Sequence, residues 1–335
     1  KRELASFYGF AQSVRLAVMP ANLFLHSLYN DCSSVRGWQG DVRLSRQSFR
    51  DREWWANIPA RHQASAIRLR PAVVDLFVDA STTGWGAVLP DLHDSADDVA
   101  RGSWSPAETQ LHINQLEMRA VRLALLSFAP VVSDRVVRLH EDNTVTQSVL
   151  GRFSSRSPAL MSEYRALWAV LDDLHVQLQV VRVASADNLA DAPSRLADRF
   201  DYRLSPRVFA TLDALWGPHD MDLFASDSNT LLPSFYSLHR CPGTSGVNAL
   251  LQPWHGLNGF ANPPWETSIL LQVVQKLREE RASATLLVPC WPSQPWYHEL
   301  MLLAKDVLPL PQVTFSLGVT GSAQHMPRAS WPIMA

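Results

Sequence analysis

The sequence predicts an α/β protein: a mixed sheet with flanking helices, followed by a second, smaller α/β domain. Three observations carry this. Residues 68–200 alternate strand-like and helix-like runs, opening with three strands in meander. Residues 219–320 start the alternation again and include a strand that ends in a Pro-rich turn. The 335 residues, 47% hydrophobic and 19% charged, suffice for two domains with full cores.

In chain order, residues 1 to about 60 read as helical. Phe7 to Leu28 places apolar residues at helical spacing, interrupted by Pro20, and Arg43 to Trp55 carries a helix-start signal at Ser45. Strands are expected near 73–79, 83–89 and 99–104. An amphipathic helix follows over 113–129, with Leu116, Ala120, Leu123 and Ala124 on one face and Pro130 at its end. A strand at 136–140, helices near 144–152 and 158–174, a strand at 176–184 and a short helix broken by Pro193 complete this region. Residues 201–218 read as a connector and helix. Beyond them come strands at 221–225 and 284–288, helices at 269–280 and 295–304, and the turn around Gly256–Trp265. The last 15 residues, 321–335, are small, polar and Pro-rich and are expected to be a loose tail.

Composition sets outer bounds. No apolar run is long enough to cross a membrane. Cys32, Cys241 and Cys290 are odd in number and far apart, which predicts reduced thiols and an intracellular setting, with cytoplasm and nucleus not distinguished. The chain begins at Lys1 and reads as a piece of a longer polypeptide. The formal net charge of −2 argues mildly against nucleic-acid binding, although acidic catalytic clusters can cancel basic grooves. Residues 1–60 hold eight Lys or Arg against five Asp or Glu, an excess of three. Only Lys1, Lys276 and Lys305 of the 30 basic residues are lysines; arginine suits bidentate phosphate contacts, and a codon bias is the plainer cause.

Four acids stand at the ends of predicted elements or on a largely apolar helix face. Asp79 closes an apolar strand, in VDASTTGWGAVL. Glu117 lies inside the long helix, in HINQLEMRAV. Asp142 follows the fourth strand, in EDN, and Asp191 opens the last helix, in NLADAPSR. Taken alone, Asp79 beside Ser-Thr-Thr-Gly reads as a turn cap. Glu117 changes the balance, because Ile113, Ala120, Val121 and Ala124 surround it at helical spacing. A carboxylate beside a buried face is costly unless it is paired or binds a cation. Carboxylates held together repel, a divalent metal relieves that repulsion, and oxygen donors of this type suit Mg²⁺. Glu108, Glu141 and Asp187 fit the pattern less well and are expected at the surface, with Glu108 a helix-start residue.

These four motifs, in this order and separated by 38, 25 and 49 residues, resemble those of retroelement RNase H domains. The resemblance implies a five-stranded mixed sheet flanked by helices over 68–200. It implies hydrolysis of the RNA strand of RNA–DNA hybrids with two Mg²⁺ ions, or Mn²⁺ in their place, held by Asp79, Glu117, Asp142 and Asp191. The preceding segment, LASFYGFAQSVRLAVMPANLFLHSLYN with VRLSRQSFRDREWWANI, resembles the thumb and connection at the end of a reverse transcriptase. It implies residues 1–67 as its remnant and the upstream polymerase domain of the same polyprotein as a partner.

A second constellation is Asn262-Pro263-Pro264-Trp265. Such a turn can aim an Asn oxygen and a Pro carbonyl at an exocyclic amine while the aromatic stacks on a flipped base; as a bare tetrapeptide it is equally an ordinary loop. Together with MDLFASDSNTLLPSFYS, Trp254 and ATLLVPCWPSQPWYHEL, it resembles phage-type Dam adenine methyltransferases. It is also similar to the domain that DIRS-type retrotransposons carry after RNase H. That resemblance implies a DNA-binding domain over 219–320, S-adenosylmethionine as cofactor, Asp222 and Asn229 at its pocket, and Asn262 to Trp265 at the target base. Two alternatives stand beside the nuclease: a non-catalytic nucleic-acid-binding remnant of the fold, and DNA adenine methylation as the main activity.

Overall fold

A computed structural model describes residues 1–58, 74–90, 98–195, 202–310, 315–317 and 333–335. Residues 1–58 form helices α1 (Arg2–Ser13), α2 (Ala21–Ser34) and α3 (Arg46–Ala56). Ser45 caps α3, its hydroxyl accepting the Ser48 N–H at 3.2 Å. Ala11, Val18, Leu25 and Leu28 form a small core against Trp54 and Trp55. The helices are clamped to the following domain by one buried pair. Asp51 is fully buried, and Arg165 donates to both its oxygens at 2.7 and 2.9 Å while a further N–H reaches the Leu23 carbonyl at 2.8 Å. The fork of a guanidinium suits this bidentate geometry.

The next elements are β1 (Val74–Ala80), β2 (Gly84–Val88), β3 (Val99–Ser103), α4 (Ile113–Ser127), α5 (Ala129–Val132), β4 (Val136–Glu141), α6 (Thr144–Arg152), α7 (Pro158–Asp173), β5 (Gln177–Arg182) and α8 (Asp191–Arg195). The strands form a five-stranded mixed sheet in the order β3-β2-β1-β4-β5. The β1–β2 and β2–β3 pairs are antiparallel; β1–β4 and β4–β5 are parallel. This is the expected sheet with its flanking helices. Alternation along β1 sends Val74, Leu76 and Val78 into the core and leaves Asp75, Phe77 and Asp79 on the other face. The core face packs on Leu116, Ala120, Val121 and Ala124 of α4 and on Leu160, Tyr164 and Leu167 of α7. The edge strand β3 is covered: Ala100 bridges Arg240 in parallel, and the Arg240 guanidinium lies 5.7 Å from the Phe128 ring centroid.

The remaining elements are β6 (Tyr202–Leu204), α9 (Pro206–Trp216), β7 (Met221–Ala225), β8 (Phe235–Ser237), β9 (Gly246–Val247), β10 (Asn258–Ala261), α10 (Thr267–Glu280), β11 (Ser283–Leu286), β12 (Val288–Pro289), α11 (Pro295–Leu303), β13 (Pro309–Leu310), β14 (Phe315–Leu317) and β15 (Ile333–Met334). Their main sheet runs β11-β10-β7-β8-β9, every pair parallel. The chain builds outward from β7 to β9, then returns to β10 on the other side of β7. The order therefore reverses between β7 and β10, and such switch points are where open α/β sheets take ligands at their carboxyl edges. Trp254, Val273, Val274 and Trp296 fill the core on this sheet. Of the expected loose tail, residues 321–332 lie outside the described residues, whereas Ile333 and Met334 are buried and pair with both β12 and β13. Two apolar side chains at the end of the chain suffice to fill a strand position.

Candidate metal centre

The end of β1, the first turns of α4 and the end of β4 meet at one point. Carboxylate oxygens of Asp79, Glu117 and Asp142 all lie within 4.8 Å of one another. Asp79 is 6% exposed and Glu117 4%, so two of the three are withdrawn from water, and Asp142 is half-buried.

Local chemistry explains how each gets there. Asp79 pairs across the hairpin with Gly86. A Cβ at Gly86 would come within 2.5 Å of the Ser194 nitrogen and 2.7 Å of the Pro193 Cβ, so only glycine lets α8 lie against the strand. That approach brings the Ser194 hydroxyl to within 2.5 Å of Asp79 Oδ2, to which it donates. Asn188 fixes the start of the same segment, its amide donating to the Val78 carbonyl at 2.9 Å. The EDN motif divides its work. Asn143 caps α6 by accepting the Val145 and Thr146 N–H groups at 2.9 and 3.1 Å, and its own amide donates to Asn114 on α4 at 3.0 Å. Asp142 accepts a short hydrogen bond from the Ser185 hydroxyl.

Burial, then the neighbouring charges of Asp79 and Asp142, pushes the Glu117 carboxyl up to about 9. Asp79 is also raised, first by burial and then by Asp142 and Asp191, against the lowering effect of the Ser194 hydrogen bond. The Oε2 atoms of Glu117 and Glu141 are buried with no hydrogen-bond partner among the described residues. A buried carboxylate oxygen without a donor is an expensive arrangement that a divalent cation would satisfy. The donor set is all oxygen, as Mg²⁺ and Mn²⁺ prefer. The residues present therefore fit such an ion.

One expectation is corrected. Glu141 is not a surface acid: it is fully buried behind the cluster, and burial followed by the charge of Glu117 raises its carboxyl well above the ordinary range. The signal lay in the strand's parity, since Glu141 shares a face with the buried Val137 and Leu139. Asp191 does not join the three-residue group. It is half-buried and paired with Arg195 at 2.5 Å, its charge helps raise Asp79, and its carbonyl accepts at 2.9 Å from the Ser194 hydroxyl that also donates to Asp79. Glu108 does serve as a helix-start residue, accepting the Ser105 N–H at 2.9 Å, and it also pairs with Arg119 at 2.8 Å. Asp187 is exposed.

In the second domain, Asn262 to Trp265 follow β10 directly, at the carboxyl edge beside the switch point. Pro263 is buried, Pro264 exposed, and Asn262 and Trp265 half-buried. The Trp265 indole N–H donates to the Leu287 carbonyl at 3.2 Å and its ring packs with Phe260 and Leu287, so it forms part of the wall of this edge. Asp222 is 3% exposed and accepts the Leu231 N–H at 3.1 Å; Asn229 accepts the Ser226 N–H at 2.7 Å. Both side chains thereby hold the loop after β7. A cleft of about 940 Å³ lies at the opposite edge, where Asn258 and Ser283 begin their strands.

Three comparisons with known proteins bear on these sites. The family model described as DNA N-6-adenine-methyltransferase (Dam) matches residues 195–324. A search of curated proteins finds no match. Among solved structures, RNase H1 from Halobacterium salinarum NRC-1 is similar at 21% identity, over 36% of this chain and 92% of that one, with a TM-score of 0.30. LC11-RNase H1, solved with an RNA/DNA hybrid, gives 15% identity, 36% and 93% coverage and a TM-score of 0.31. A foamy viral protease-reverse transcriptase gives 12% identity over 60% of this chain and 28% of that one, with a TM-score of 0.27. Likenesses this distant say nothing of activity. No helix among the described residues is long and apolar enough to cross a membrane.

Proposed function

We propose that the chain is a fragment of a DIRS-type retroelement polyprotein whose residues 68–200 hydrolyse the RNA strand of RNA–DNA hybrids. Residues 1–67 are the reverse transcriptase remnant, 201–218 a linker helix and 219–320 a Dam-like domain. The observation that supports the nuclease is the convergence of Asp79, Glu117 and Asp142, acids spread over 64 positions by number (142 − 79 + 1) yet within 4.8 Å of each other. The buried oxygens of Glu117 and Glu141 without hydrogen-bond partners among the described residues also support this reading.

In this reading Asp79, Glu117 and Asp142 hold Mg²⁺ or Mn²⁺, with Asp191 adding negative charge at the rim. A divalent ion bound there supplies Lewis-acid charge to a water and to a phosphodiester oxygen, and a pair of ions can serve both the attacking and the leaving oxygen. Ser194 holds the Asp79 carboxylate in one rotamer, and Ser185 does the same for Asp142. Glu141 is fully buried behind Glu117, out of reach of a substrate. The test is Mg²⁺-dependent cleavage of end-labelled RNA in an RNA–DNA hybrid. Asp79→Asn should lower the rate by about 10²–10³, the scale of losing one charged group aimed at the reacting atoms. An Asp79→Asn chain that cuts as fast as the parent sinks the proposal.

A second activity, methylation of adenine in DNA with S-adenosylmethionine, is favoured by the place of Asn262-Pro263-Pro264-Trp265 at the switch point and by the family match over 195–324. Asp222 and Asn229 would shape the cofactor side of that edge through the loop they hold. Transfer of labelled methyl to DNA that disappears in Asn262→Ala supports this; failure to bind S-adenosylmethionine removes it.

A further inference from the structure

Away from the carboxylates, a groove of about 740 Å³ runs between α1, α2 and the loop that joins α6 to α7. No carboxylate is among its lining residues, as far as the described residues go. Arg15 comes from one wall, Arg152 and Arg156 from the other, and all three are exposed. In a chain of net charge −2, a groove with three guanidinium groups and no acid among its lining residues is a local reversal of sign. Its floor is also aromatic: Tyr8 and Tyr29 lie with centroids 5.4 Å apart, and Phe153 faces the groove from the loop. Tyr29 is 51% exposed, Leu16 83% and Met19 40%, an apolar surface left open to solvent.

The groove is preformed. Arg165 of α7 donates to the Leu23 carbonyl of α2 at 2.8 Å, and the Asn22 amide crosses from α2 to the Arg152 carbonyl at 3.0 Å. It is also continuous with the metal centre through a single element. Helix α6 begins two residues after Asp142 and ends at Arg152. Its nine residues at about 1.5 Å rise span ~13 Å.

We propose that this groove binds a single-stranded stretch of nucleic acid continuous with the hybrid at the carboxylate centre. Guanidinium groups take the phosphates, and the exposed tyrosine and aliphatic surface takes the faces of unpaired bases. A duplex hides its base faces and would leave Leu16, Met19 and Tyr29 uncovered, which selects a single strand over paired nucleic acid. The identity of the strand rests on the nuclease reading; the binding itself does not.

The test measures binding of the full chain, without divalent metal, to fluorescein-labelled 12-mers of single-stranded DNA, single-stranded RNA and blunt RNA–DNA hybrid by anisotropy. The variants are R15Q/R152Q/R156Q and Tyr29→Ala, all at exposed positions, with circular dichroism to verify folding. The triple variant should weaken single-strand binding at least tenfold near 0.15 M salt. It should lower the slope of log K against log salt by about 2, from three lost contacts at roughly 0.7 each. Tyr29→Ala should weaken binding without changing that slope. The DNA and RNA arms identify which strand the groove prefers. An unchanged affinity and slope in the triple variant overturns the proposal, as does tighter groove-dependent binding of the blunt hybrid than of the single strands. Because binding is read without metal, an Asp79→Asn chain that still cuts would sink the nuclease and leave the groove, and intact binding in the triple variant would do the reverse.

Discussion

The carboxylate centre and the Asn262–Trp265 edge treat polar atoms in opposite ways. At the first, acids are drawn out of water, crowded within 4.8 Å, and buried oxygens on Glu117 and Glu141 are left without donors. At the second, the polar groups work for the scaffold: the Trp265 indole serves the Leu287 carbonyl, and Asp222 and Asn229 serve the backbone of one loop. Buried carboxyl oxygens without donors are costly, and a cation from outside the chain would relieve that cost. A satisfied polar group marks a site whose shape, and not its own charge, would do the recognising. The first site is set apart by its own unpaired atoms, and the second by its place at the switch point.

The comparison can be broken most severely at Gly86. A valine there meets Ser194 and Pro193 at distances no real Cβ adopts, so α8 must move and release Asp79. Hybrid cleavage should fall by about 10² or more, and overpacking of this kind costs about 1–3 kcal/mol of stability. A Gly86→Val chain with parental rate and melting temperature would show that α8 does not position Asp79.

The pH dependence of the metal-free chain gives a smaller effect with a definite sign. Burial raises Glu117 from its ordinary 4.5 to about 9, so the folded state binds this proton more tightly than the unfolded chain does. Its contribution is complete below about pH 4.5 and is lost as pH rises toward 9. The melting temperature without metal should therefore decline across that window, and 10 mM Mg²⁺ should flatten the decline by replacing the proton. A profile identical with and without Mg²⁺ would place the cation elsewhere. The smallest effect belongs to Asp191→Asn. Outside the three-residue group and tied to Arg195, it should reduce cleavage by about tenfold, in the range of groups that support ligands without being among them. A loss as large as that of Asp79→Asn would promote it to a ligand.

Much of this was legible in the sequence, and the misses have physical causes. The hydrophobic alternation of β1 and β4 and the 3.6-residue period of α4 place Asp79, Glu117 and Asp142 on their elements, and Asp191 opens α8 as expected. Glu141 sits beside an Asp that fits the motif better, yet its parity with Val137 and Leu139 puts it on the core face. Asp191 pairs with Arg195 four residues on in the same helix, a contact the i,i+4 spacing makes available. The fate of Trp265 was not legible at all, since the carbonyl it serves is 22 residues away on the neighbouring strand's exit. Local patterns decide which face a side chain takes; which atoms remain unpaired is decided by the tertiary fold.

Isothermal titration of the full chain with Mn²⁺ and Mg²⁺, with Glu117→Gln as the reference, bears most directly on the metal centre. The parent should show saturable binding, and the Gln variant, which keeps the size of the side chain and removes its charge, should bind at least about tenfold more weakly while melting no lower in the absence of metal. Equal binding by both chains, or none by either, would contradict the assignment of Asp79, Glu117 and Asp142 as one cation site.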